Sequence, residues 1–145
     1  MKAVRLIVDG SVLGNPGLGG WACILQYGAQ ERIITGSEPG STNNKMEMMA
    51  ALRGLQALKE PCEVHLITDS QYLQRGMTQF LARWKANSWR GSSGKPVLNR
   101  DLWLELEGAA AKHQVQWIWV RGHGNEADQN RADSLARRAA MASTM

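Results

Sequence analysis

The chain reads as an α/β protein: a five-stranded mixed sheet, an antiparallel meander followed by parallel strands, with helices packed on it. Three observations predict this. The first 36 residues hold three β-patterned runs joined by short, turn-rich connections, which is how antiparallel strands are linked. From residue 45 onward, helical and strand patterns alternate. A helix separates the third run from the fourth, so a right-handed crossover should lay the fourth strand parallel to an earlier one.

Taken in order, AVRLIVDG is a strand of aliphatic and β-branched residues that ends at Asp9-Gly10. GNPGLGG is a loop, GGWACILQY a second strand, Gly28-Ala29 a turn and QERIITG a third strand. GSEPGSTNN is rich in turn residues, and Thr42, Asn43 and Asn44 are all suitable N-caps for the helical run KMEMMAALRGLQALKE, which Pro61 ends. CEVHLITD is the fourth strand and SQYLQRGMTQFLARWK the second helix. ANSWRGSSGKPVLNR is polar and basic, DLWLELEGAAAKHQ a third helix, VQWIWVRG a fifth strand, HGNEADQN a loop and NRADSLARRAAMAS a terminal helix. No repeat or low-complexity tract interrupts 145 residues, a length that predicts one domain over 1–145.

A net charge of +4 favours a polyanionic partner, although solubility alone accounts for so small an excess. Cys23 and Cys62 lack metal-ligand spacing and read as buried, reduced thiols. The N-terminal apolar run is broken by Arg5 and Asp9, too short and too charged for a signal peptide or a membrane span. The expectation is a cytoplasmic protein with no membrane association, and a monomer by default.

The informative feature is four scattered acids placed at element boundaries: Asp9, Glu47, Asp69 and Asp133. Asp9 and Asp69 follow strands that should be parallel neighbours, so both carboxylates would emerge at one sheet edge, where open α/β sheets hold ligands. Glu47 lies near the start of the intervening helix, and Asp133 in the first turn of the last one. Four converged carboxylates repel unless cations neutralise them. Oxygen-only ligands suit Mg²⁺ or Mn²⁺ rather than Zn²⁺. Two such ions about 3.5–4 Å apart can drive an in-line phosphoryl displacement. Taken singly, each acid has an ordinary explanation as a turn residue, an N-cap or a helix-dipole partner.

Bland readings suit other residues. Trp21, Trp103, Trp117 and Trp119 fit core packing, MEMMA fits helix packing, and His65 and His113 fit structural roles. GNPGLGG leads into a strand and lacks the Lys-Ser/Thr pair of a nucleotide-binding loop.

With these residues in hand, the chain resembles type 1 ribonuclease H of the bacterial single-domain kind. The motifs are IVDGSVLGNPGLGG, STNNKMEMMAAL, ITDSQYL, the stretch from Trp84 through KPVLNRDLW, and WVRGHG followed by RADSLARRAA, together spanning nearly the whole chain. The resemblance implies a ribonuclease H-like fold and cleavage of the RNA strand of RNA–DNA hybrids, leaving 5′-phosphate and 3′-hydroxyl ends. It implies Mg²⁺ as cofactor, two ions per site with substrate, Mn²⁺ being able to substitute. Asp9, Glu47, Asp69 and Asp133 match the family's metal-binding acids, and His123 its catalytic histidine. Asn15, Asn43, Asn44 and Gln71 match minor-groove contacts, and Thr42, with Asn15, a pocket for a DNA-strand phosphate. The segment 83–99 matches a basic protrusion that grips the DNA strand, with Trp84, Lys85, Trp89, Arg90 and Lys95 as its candidate contacts. Gln129 stands where relatives commonly have Asn, and the loop HGNEADQ adds Glu126 and Asp128. Ala86, Asn87 and Leu98 are neutral where relatives often carry basic residues. Two rivals are a hybrid- or duplex-binding module with a dead site, and a different nuclease of the same fold, such as an integrase or a junction resolvase.

Overall fold

A computed structural model describes residues 1–14 and 16–142. The predicted sheet is there: β1 (Lys2–Leu13), β2 (Gly17–Tyr27), β3 (Gln30–Ser41), β4 (Cys62–Thr68) and β5 (Gln114–Trp119), in the order β3-β2-β1-β4-β5. The β1/β2 and β2/β3 pairs are antiparallel, while β1/β4 and β4/β5 are parallel. Helix α1 (Asn43–Gln56) makes the crossover from the meander to β4, as its position in the sequence requires. Thr42 caps it, its hydroxyl accepting from the Lys45 amide at 3.2 Å.

Two layers cover the sheet. Met46, Ala50 and Leu55 of α1 and Trp103 and Leu106 of α4 (Arg100–Ala110) join Leu6, Val8, Cys23, Val64 and Leu66 in the larger core. On the other face Ile7, Ile24 and Ile67 pack against Ala132 of α5 (Ala127–Ala142). The alternation of Leu6 and Val8 with Ile7 along β1 is what divides the two cores. Both cysteines are buried and free.

Four elements differ from expectation. β1 runs four residues past Asp9, paired with β2 through Leu13, so Asp9 lies within its strand rather than at its end. β3 continues through Glu38-Pro39-Gly40 to Ser41, because an edge strand tolerates a proline that an inner strand would not. The second helix is three pieces: α2 (Gln71–Arg75), a π-helical turn (Gly76–Phe80) and α3 (Leu81–Ala86). The loop before α5 is shorter than expected, since α5 begins at Ala127 and takes in Asp128 and Gln129.

Trp119 is 40% exposed rather than packed in the core, as the last residue of the edge strand β5; its indole N–H donates to the Asp69 carbonyl at 3.0 Å. Trp117 is partly buried against the larger core. His113 is structural as expected, its Nδ1 accepting from the Cys62 amide at 3.0 Å, whereas His65 is exposed. Among the described residues, no helix is long and apolar enough to cross a membrane.

Candidate active site

The parallel ladder between β1 and β4 is the frame of the site. It ends at Ile7↔Ile67, two residues before Asp9 on one strand and two before Asp69 on the other. Two carboxylates therefore leave neighbouring strands at the same height. Glu47, the fifth residue of α1, closes on them because Gly10 lets the helix approach: a β-carbon at Gly10 would lie 2.5 Å from the Glu47 nitrogen. Asp9, Glu47 and Asp69 each present an oxygen within 4.8 Å of the other two.

Asp133 comes from α5, on its second turn rather than its first because the helix starts early. It lines the same cavity of about 390 Å³ but stands outside the tight group of three. Its carboxylate pairs with Arg137 at 3.1 Å and faces His123 Nδ1 at 3.9 Å. His123 is exposed, at a backbone φ of +55°, and lines the cavity mouth.

The electrostatics suit a bound cation. Asp9 is 2% exposed and Glu47 3%. Asp9 Oδ1 accepts from the Gly10 amide at 3.0 Å, whereas Asp9 Oδ2 and Glu47 Oε2 are buried with no hydrogen-bond partner. Burial pushes the Asp9 carboxyl up to about 8, with further upward pressure from Asp69 and Asp133. Burial first, then the Asp9 charge, holds Glu47 well above the usual carboxylate range. Asp69 is raised too, by burial and then by Asp133. Orphaned carboxylate oxygens at this depth are what a hard divalent cation would satisfy, and the all-oxygen donor set fits one.

Of the candidate substrate contacts, Asn43, Asn44 and Gln71 line the cavity. Thr42 is committed to capping α1, and Asn15 lies outside the described residues. Ser70 and Tyr72 also line the cavity, although neither was singled out as a substrate contact; their signal was only proximity to Asp69. Ser70 caps α2 by accepting from the Leu73 amide, and the Tyr72 hydroxyl accepts from Asn99 at 3.1 Å, tying the site to the start of α4.

The protrusion is a separate body of contacts. Trp84 stacks in a chain with Phe80, Trp89 and Trp103 at centroid distances of 5.3–6.4 Å, so both protrusion tryptophans are partly buried scaffolding. Lys85 is tied to Glu107 at 2.7 Å, and Arg90 donates to the Gly94 carbonyl at 2.9 Å across the small Arg90↔Pro96 bridge. Lys95 is exposed.

The RNase H family model matches residues 1–141. Ribonuclease H of Halorhodospira halophila is 55% identical over 92% of this chain and 89% of its own length. Ribonuclease H of Xanthomonas campestris is 47% identical over 98% of this chain and 95% of its own. Among solved structures, LC9-RNase H1, described as a type 1 RNase H with the type 2 active-site motif, superposes with a TM-score of 0.89 at 31% identity, covering 98% of this chain and 74% of that one.

Proposed function

The chain belongs to the RNase H family, and we propose that Asp9, Glu47, Asp69, Asp133 and His123 carry its chemistry with two bound Mg²⁺ ions. As a ribonuclease H it is a metal-dependent hydrolase that cleaves the RNA strand of RNA–DNA hybrids to 5′-phosphate and 3′-hydroxyl ends. The observation that carries the residue assignment is the trio of acids within 4.8 Å, with two orphaned buried oxygens.

When bound, Mg²⁺ (or Mn²⁺ in its place) supplies an activated water and neutralises charge on the transferring phosphate. Asp9 and Asp69 would hold the ions, with Glu47 and Asp133 as further ligands. Ligating carboxylates must be ionised, so loading the site releases the proton that burial keeps on the Asp9–Glu47 pair near neutral pH. His123, exposed and 3.9 Å from Asp133, carries a proton between the reacting phosphate and solvent. Asn43, Asn44 and Gln71 meet the 2′-hydroxyls and base edges of the wide, shallow minor groove, and Asn15 and Thr42 a phosphate of the DNA strand. The protrusion, 83–99 within a single domain 1–145, adds Trp84, Lys85, Trp89, Arg90 and Lys95 along the DNA strand, and this part of the affinity falls with salt. The enzyme acts as a cytoplasmic monomer.

The experiment is a labelled hybrid beside single-stranded RNA, double-stranded RNA and duplex DNA, each with Mg²⁺, Mn²⁺ or chelator. Metal-dependent cutting of the hybrid's RNA strand alone is expected. Retention of the hybrid in chelator with no cutting in either metal would leave a binding module instead.

A further inference from the structure

Gln129 is 1% exposed on the first turn of α5, and the chemistry above does not use it. Its Nε2 donates to the Val8 carbonyl at 3.0 Å, across 121 residues of chain. Val8 is the residue before Asp9, and it stands where β1 has just left β4. The β1/β4 ladder stops at Ile7↔Ile67, while β1 continues with β2 and β4 continues with β5 to Thr68↔Trp119. Asp9 and Asp69 thus sit on strands that part just before them, with no β1/β4 pairing at their level to set the width of the gap.

The helix that sends Gln129 to Val8 also carries Asp133, four residues and about one turn further on. Between them Ala132 is fully buried against Ile7, Ile24 and Ile67. One amide therefore ties the strand bearing Asp9 to the helix bearing Asp133, at the point where β1 and β4 part. A side chain present only to fill space would be better apolar, since Gln129 Oε1 is left buried with no partner.

We propose that Gln129 is a positioning residue for the divalent cations: by pinning the Val8–Asp9 peptide to α5, it fixes the spacing of the Asp9 and Asp133 carboxylates across the parted strands. This rests on the metal reading above. Groups that orient metal ligands without touching the metal characteristically change metal affinity when removed.

The test is calorimetric titration of the whole protein with Mg²⁺ alone, wild type against Gln129→Met, which keeps length and removes the donor. The variant should lose about tenfold in Mg²⁺ affinity. It should lower kcat while leaving KM, and hybrid binding in chelator, within roughly twofold. A folded Gln129→Met with unchanged Mg²⁺ affinity overturns the inference, whatever its melting temperature. Should Gln129→Met not fold, Gln129→Asn takes its place; the amide is drawn back by one methylene, a smaller loss of Mg²⁺ affinity is expected, and an unchanged value overturns the inference. Wild-type protein that takes up no Mg²⁺ would overturn the metal reading together with this one, whereas wild-type binding matched by the variant sinks this one alone.

Discussion

Helix α5 touches two carboxylate clusters, one through Asp128 and one through Asp133, and they are built on opposite rules. At Asp128 every charge is answered. Arg131 grips Glu31 through both guanidinium nitrogens at 2.6 Å and Asp128 at 3.2 Å; Arg5 reaches Asp128 at 3.4 Å; Gln26 donates to Glu31 and Asp128. The Arg131 guanidinium accordingly pulls the Glu31 carboxyl down to about 2. Within two turns of helix, Asp9, Glu47 and Asp69 are raised instead, two of them buried with orphaned oxygens. The first cluster fastens α5 to β1, β2 and the start of β3. The second should weaken the metal-free protein, and a bound cation would complete it.

The largest effect comes from removing that mismatch. Asp9→Asn should cut cleavage by at least about a thousandfold, roughly 4 kcal/mol of transition-state stabilisation. The same change should raise the metal-free melting temperature at pH 7 by about 2–5 °C, because an amide is neutral without the proton uptake that burial imposes on Asp9. Steady-state assays and thermal melts in chelator check both. A variant that melts lower and cleaves normally would erase the contrast between the clusters.

Next comes the approach of α1 to β1. Gly10→Ala would set a methyl group against backbone and side-chain atoms of Met46 and Glu47 at 2.5–2.7 Å. It should destabilise by about 2 kcal/mol and weaken Mg²⁺ binding as Glu47 is displaced. Urea unfolding and metal titration on the one variant measure the two effects.

The sheet and the acids were legible in the sequence for one reason: strands of period two and helices of period 3.6 leave a signal in every few residues. The four acids could be grouped because the elements holding them could be ordered. What could not be read were features decided by partners far along the chain. Asp-Gly signals a turn, yet β1 runs on through it because β2 keeps pairing. Glu38-Pro39-Gly40 signals a loop, yet lies on an edge where a missing donor costs nothing. Trp119 alternates with Val115 and Trp117 like a core residue, but it is the last residue of the edge strand β5 and stays 40% exposed. The π-helical turn has no periodic mark, although Gly76 hints at it: a β-carbon there would lie 2.1 Å from the Trp103 ring. Arg131–Glu31 spans 100 residues and Gln129–Val8 spans 121, separations at which no local pattern speaks.

The two clusters should also answer pH with opposite sign. Asp9 has a folded-state pKa above its unfolded value. Its protonated form therefore stabilises the fold below about pH 4, and that contribution is lost as pH rises toward about 8. Glu31 is the reverse: its contribution is present above about pH 4.5 and is lost as pH falls toward about 2. In chelator the melting temperature should thus climb as pH drops from 8 to about 5, then fall in stronger acid. Saturating Mg²⁺ should invert the upper limb, since only ionised carboxylates hold the ion. A chelated protein that grows steadily more stable between pH 5 and 8 would mean the buried acids are not held protonated.

The smallest effect belongs to the matched cluster. Arg131→Met removes the cation that answers both Glu31 and Asp128, but these groups are partly exposed, with side-chain accessibilities of 26–40%, and water replaces much of what is lost. The melting temperature should fall by about 1–2 °C in low salt. The difference from wild type should shrink in 1 M NaCl, where charges are screened within about 3 Å. Arg131 touches neither the cavity nor its acids, so kcat should stay within roughly twofold. A large loss of kcat here, with Mg²⁺ affinity intact, would show that the α5 anchor sets the position of His123 and that the two clusters work as one.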